Sequence, residues 1–282
     1  MKPIINWQEL QSLNRPPMRP PERELPEGHT SVWDASADMY KQMAAMEQSY
    51  TLNQINCFDT DPTDTVLDIG CGPGRITVPM AQRAKSVTSI DTSEYMMNHC
   101  RANVAAAGLD NVTVRHLDWM EAEVGKNLEK HDIVIACRSV GLTDIEKLAS
   151  FSNKYCVLIA WANSDCIPDI LWDLFQGVDG REDPARGAMF RDRRVGYNTV
   201  WNTVYDLGFD PNIRIVRDGF TKDFASAEEA YADLAQLGTV VPDKMDMFRK
   251  NVDRYLTKNP DGSITFRRET RSYVMWFEPV KK

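Results

Sequence analysis

The sequence has no C-x-x-C pair: its six cysteines, Cys57, Cys71, Cys100, Cys137, Cys156 and Cys166, are scattered singly. Such spacing supports neither a closed zinc site nor a dithiol redox centre, and no metal is expected. Long apolar runs are missing too. The longest, such as residues 157–162, is far too short to cross a bilayer, and Met1 to Trp7 lacks the apolar stretch of a signal peptide. A soluble, cytoplasmic protein with reduced thiols is the expectation. Positive charge is in deficit, with 33 basic against 41 acidic residues and a net charge of -8. That balance repels phosphate backbones and anionic membranes, so nucleic acid and membrane are disfavoured as partners. Neither an internal repeat nor a collagen-like excess of its 15 Gly and 15 Pro is present. What is there, 282 residues with 43% hydrophobic and 26% charged side chains, suits one large globular domain with an appendage.

The chain divides into three parts. Residues 1–30 contain Pro16, Pro17, Pro20, Pro21 and Pro26 among charges and read as an extended arm. Residues 31–60 carry Trp33, Ala37, Tyr40, Met43, Ala44 and Met46 at helical spacing, a helical cap ahead of the main fold. From residue 61 to 282 strand and helix patterns alternate, which implies a doubly wound α/β architecture around a parallel sheet. Strands are expected at 65–69, 86–90, 111–116, 132–136 and 155–161, with helices at 76–84 and 94–107 and another opening at a Thr143–Glu146 capping box. Residues 177–196 look like a loop insertion. Later come a helix at 197–207, a strand at 212–216, helices from Ser226 and Pro242, and two strands at 263–266 and 272–277.

The informative stretch is Asp68-Ile69-Gly70-Cys71-Gly72-Pro73-Gly74, placed where the first strand turns into a helix. Open parallel sheets bind ligands at that carboxyl end. The glycines fall as G-x-G-x-G, not G-x-G-x-x-G, and Asp68 stands two residues before the first. A carboxylate there opposes a pyrophosphate and favours a ligand amine, by about 1 to 4 kcal/mol at 4 Å in solvated to surface-like surroundings. This separates the loop from a nicotinamide or flavin dinucleotide site. Asp91, closing the second strand, can accept both hydroxyls of a ribose. Asp118, after the third strand and beside Trp119, can accept an adenine amino hydrogen, although an Asp there also serves as a turn or cap residue.

Amine, ribose and adenine together describe S-adenosylmethionine. Over residues 61–277, most specifically 66–77 and 89–97, the sequence resembles the class I S-adenosylmethionine-dependent methyltransferases. The resemblance implies a seven-stranded Rossmann-like sheet whose last strand is antiparallel. It implies that Asp68, Gly70, Cys71, Gly72 and Gly74 hold the methionine part of the cofactor, that Asp91 serves the ribose, that Met96, Asp118 and Trp119 serve the adenine, and that Thr92 also binds the cofactor. It also implies an enzyme that releases S-adenosylhomocysteine.

Arg138 and Ser139, following the fourth strand, are candidates to lie near the transferred methyl group, and Trp33 with Tyr40 to cap the cofactor or line the acceptor pocket. Cys137 lacks the Pro-Cys of cytosine-5 methyltransferases, and no Asn-Pro-Pro-Tyr or Asp-Pro-Pro-Tyr is present for exocyclic amines of DNA bases. The four histidines read as structural or solvated. Arg191, Arg193 and Arg194 form a basic cluster that could clamp an anion or simply balance Glu182, Asp183 and Asp192. The expected reaction is methyl transfer to a small-molecule acceptor, with an RNA or protein acceptor, or a non-catalytic S-adenosylmethionine-binding module, as the alternatives. The acceptor atom, the need for a general base and the oligomeric state stay open.

Overall fold

A computed structural model of the chain describes residues 5–12, 25, 27–179 and 193–280. The proline-dense part of the arm, the centre of the 177–196 insertion and Arg191 therefore lie outside the described residues.

The sheet is built first from β1 (Thr65–Ile69), β2 (Ser86–Asp91), β3 (Val112–His116), β4 (His131–Cys137) and β5 (Ser152–Trp161), all parallel. Val66, Leu67 and Ile69 of β1 and Ile133 to Ala136 of β4 are fully buried. A strand covered on both faces must read this way, and it explains the unbroken apolar runs. Two long antiparallel strands follow, β6 (Asn212–Phe224) and β8 (Ile264–Phe277), giving the order β3-β2-β1-β4-β5-β8-β6. This is the expected seven-stranded arrangement with a reversed final strand. A three-residue eighth strand, β7 (Leu256–Lys258), pairs with the far end of β8.

Around the sheet lie α1 (Trp7–Ser12), α2 (Val32–Ile55), α3 (Thr77–Ala81), α4 (Glu94–Ala106), α5 (Ile145–Ser150), α6 (Ile167–Phe175), α7 (Tyr197–Asp206), α8 (Ala227–Leu234) and α9 (Met245–Asp253). Within the expected arm, α1 is a docked helix whose Trp7 indole donates to Asp206 of α7 at 2.6 Å. The cap of α5 differs from expectation. A 3₁₀ turn occupies Val140–Thr143, and Asp144 accepts from the Lys147 amide at 2.9 Å, so Asp144 rather than Thr143 opens the helix.

β5 ends where Trp161 pairs Ser272, so residues 264–271 of β8 and their β6 partners extend past the parallel sheet. On this overhang α2, α6, α8 and α9 build a second core from Met43, Met46, Ile170, Leu174, Phe220, Phe248 and Phe266. The result is a cap standing over the carboxyl ends of β4 and β5.

Candidate functional site

The glycine loop folds back against β2: the amides of Gly70 and Cys71 both donate to the Ile90 carbonyl, at 2.9 and 3.1 Å. Gly70, Gly72 and Gly74 all have positive φ, at 68°, 53° and 87°. Their surroundings differ. A Cβ on Gly70 would sit 2.6 Å from Ser139 Cβ, and one on Gly74 would sit 2.8 Å from Cys100 Sγ, whereas one on Gly72 meets nothing within 4 Å. Two glycines let protein pack closely; the middle one borders open space. Gly72→Ala should therefore cost only the strain of a left-handed alanine, about 1 kcal/mol, while reducing S-adenosylhomocysteine affinity at least about tenfold in calorimetric titration. Gly70→Ala should instead fail first in thermal unfolding, because the Ser139 contact cannot relax.

Asp68 is buried and accepts from the Thr77 hydroxyl at 2.6 Å; Thr77 in turn meets the Ser89 hydroxyl at 2.9 Å. Burial pushes the Asp68 carboxyl up to about 6, opposed by Thr77 and by the charge of Arg75. Among the described residues it makes no salt bridge. A buried carboxylate held by a hydroxyl and raised in this way would gain from a cation, which is the chemistry a ligand ammonium brings.

Both oxygens of Asp91 are anchored by the backbone. Gly72 donates to Oδ2 at 2.9 Å and Ser93 to Oδ1 at 3.0 Å. Each oxygen keeps a second lone pair, so a vicinal diol can bind a carboxylate whose rotamer is already fixed. Ser93 also accepts from the Met96 amide at 3.2 Å and donates to Asp34 at 2.6 Å, tying the start of α4 to the start of α2. Thr92 is exposed, and its carbonyl lies 3.0 Å from His116 Nε2; Met96 is buried at the base of α4. These residues and the glycine loop come together at the carboxyl ends of β1 and β2.

Asp118 and Trp119 sit differently. Asp118 Oδ1 accepts from the Met120 amide at 2.8 Å and caps a 3₁₀ turn, the alternative role weighed for it. The Trp119 ring is 1% exposed, packs on Phe151 with centroids 5.2 Å apart and belongs to the main core. Its size and apolarity placed it in the core beneath β4 and β5.

At the other end, Arg138 follows β4 with φ at 53° and reaches into a buried network that sequence reasoning did not find. Its guanidinium pairs with Glu47 of α2 and Asp218 of β6, donates to Ser272 at 3.0 Å, and lies over the Trp161 ring at 3.9 Å. Arg75 joins from the glycine loop, 3.5 Å from Glu47, donating to Thr51 at 3.0 Å, Gln54 at 2.9 Å and Cys137 Sγ at 2.8 Å. Burial alone would make Arg138 less basic; Glu47 and Asp218 more than reverse this, and its pKa rises. Burial likewise pushes the Cys137 thiol up, against Arg75 and Arg138, which leaves it a poor nucleophile. Ser139 is spent on structure, donating to the Ile69 carbonyl. Tyr40, mostly covered, lies beside Arg138 and Glu47, while its edge-to-face neighbour Trp33, 5.8 Å away, stays 45% exposed.

Residues 66–158 match the family model described as a methyltransferase domain. An uncharacterised protein of Haemophilus influenzae is 27% identical over 210 residues, covering 72% of this chain and 71% of that protein. A 23S rRNA (uracil(1939)-C(5))-methyltransferase of Photobacterium angustum is 46% identical over 83 residues, 26% of this chain and 38% of that enzyme. Among solved structures, a precorrin 8W decarboxylase of Methanobacterium thermoautotrophicum is similar with a TM-score of 0.46 and 14% identity, covering 82% of this chain and 88% of that one.

Proposed function

We propose that the chain, whose residues 66–158 match a methyltransferase domain, is a class I S-adenosylmethionine-dependent enzyme that methylates a small molecule by in-line displacement. When bound, S-adenosylmethionine supplies a methyl group already activated by its sulfonium. The task left to the protein is placement: holding acceptor and donor in line at about 3 to 3.5 Å, which can be worth about 7 to 11 kcal/mol. Asp68 takes the amine, Asp91 the ribose hydroxyls, Gly72 the backbone approach, and Met96 with Asp118 the adenine side. A base is needed only for an acceptor that must first lose a proton.

The observation that carries the acceptor class is the roof. Arg138, its side chain 9% exposed, is bound on one side to α2 and on the other to β6, so the end of the site beside β4 is enclosed under the cap. Enclosure suits an acceptor small enough to be swallowed, and the net charge of -8 works against a polyanion. The similarity to the rRNA enzyme spans only 83 residues and so bears on the cofactor half of the fold. The test offers S-adenosylmethionine with a labelled methyl group to a metabolite extract, to total RNA and to total protein in parallel. Label should enter the metabolite fraction. Label confined to RNA or protein would reverse the assignment.

A further inference from the structure

Seven buried side-chain polar atoms have no hydrogen-bond partner among the described residues, and four of them gather here: Arg138 Nε, Trp161 Nε1, Arg268 Nε and the Thr270 hydroxyl. Their neighbourhood follows from register. Trp161 pairs with Ser272 across β5 and β8, and Thr270 pairs with Asp218 across β8 and β6. Alternation along β8 puts Phe266, Arg268, Thr270 and Ser272 on the covered face, while Arg267, Glu269 and Arg271 are exposed on the other. Arg138 bridges to this strip, 3.0 Å from Ser272 and stacked on Trp161. The four groups thus line one run from the end of β4 along the inner face of the overhang, under the cap.

Their chemistry is one-sided. Three are N–H groups that can only donate, and the fourth is a hydroxyl that can. Buried donors without partners are costly, so a cluster of them calls for an occupant rich in acceptors. Charge narrows the class. Three guanidinium groups, Arg75, Arg138 and Arg268, face four carboxylates, Glu47, Asp218, Asp165 and Asp173. Among the described residues no cationic excess is left for a carboxylate or phosphate, and a row of N–H donors turns away an ammonium.

Resting on the small-molecule reading above, we propose that the methyl acceptor carries uncharged oxygen acceptors, such as ketone, ester or amide carbonyls, seated against Arg138, Trp161, Thr270 and Arg268.

Three small compound sets test this against protein saturated with S-adenosylhomocysteine, read by thermal shift: neutral carbonyl compounds, carboxylates with phosphates, and amines. Within them, 2-hydroxyacetophenone, salicylate and 2-(aminomethyl)phenol serve as a matched trio. Stabilisation should concentrate in the neutral carbonyl set. The best of these should lose about three- to tenfold of its affinity in both Trp161→Phe and Thr270→Val, with S-adenosylhomocysteine affinity unchanged. Unliganded Thr270→Val should melt at the same or a higher temperature, because an unpaired hydroxyl has gone. Stabilisation mainly by carboxylates, phosphates or amines, silence in all three sets, or a lower melting temperature of unliganded Thr270→Val would overturn the proposal. A labelled carboxylate metabolite would defeat this inference and leave the small-molecule reading intact; label in RNA would defeat that reading itself.

Discussion

Arg138→Met should destabilise the protein by about 3 to 5 kcal/mol, with more of that loss at pH 8 than at pH 5.5. The side chain is similar in bulk, so the loss is electrostatic. Glu47 and Asp218, with side chains 3% and 0% exposed, would keep Arg75 at 3.5 Å as their cation, and Asp218 the neutral donors Gln54, at 2.8 Å, the Gly219 amide, at 2.9 Å, and Ser272. An orphaned buried carboxylate has its folded pKa raised above the unfolded value. Its contribution is then fully present at low pH and lost as pH rises through the raised pKa, which makes alkaline conditions the worse case. Urea unfolding at the two pH values checks this, and an equal loss at both would contradict it. Adding Glu47→Met and Asp218→Asn to Arg138→Met should recover much of the stability, since burial of the isolated charges causes the damage. The network also holds Arg138 in its left-handed conformation, which alone costs about 1 to 2 kcal/mol.

Asp68→Asn should behave in the opposite way, keeping the fold and losing the cofactor. Because burial raises the Asp68 carboxyl to about 6, its charge burdens the empty protein at neutral pH. With its folded pKa raised above the unfolded value, this group's contribution is greatest below its unfolded pKa and is lost as pH rises through about 6. Removing the charge should leave thermal stability at pH 7.5 equal or higher, provided that the Thr77 hydroxyl still finds the amide oxygen. Affinity for S-adenosylhomocysteine should fall at least about tenfold, the lower part of what a charge-assisted hydrogen bond supplies. In the wild type, affinity should be flat above pH 6.5 and fall as the carboxyl protonates below about 6; the Asn variant should lose that dependence. Arg75, Asp91 and Thr77 face the same carboxyl, so the shape of the curve reports the group in its full setting.

Local signals made the cofactor side readable. A strand, a glycine turn and a helix occupy adjacent residues, so Asp68, Gly70, Gly72, Gly74 and Asp91 could be placed from chain order alone. The Arg138 network was hidden because tertiary pairing creates it. Arg138 meets Glu47 and Asp218 at separations of 91 and 80 residues, and nothing near any of the three announces the others. Strand β6 was legible only to Val216, since Arg217, Asp218 and Gly219 break the apolar alternation; its continuation is fixed by eight paired positions with β8, Arg217 to Phe224. The charged run from Arg267 to Arg271 likewise split β8 into two expected strands, although its alternate residues simply face solvent. Trp119 shows the converse: its proximity to Asp118 in sequence singled it out, and nothing in that proximity announced that its ring packs in the core.

Calorimetric titration of the full chain with S-adenosylhomocysteine, alone and then in the presence of excess NAD, tests the cofactor assignment most directly. One equivalent should bind, undiminished by the dinucleotide and weakened in Asp68→Asn and Asp91→Asn. Displacement by NAD, or full affinity in both variants, would contradict it.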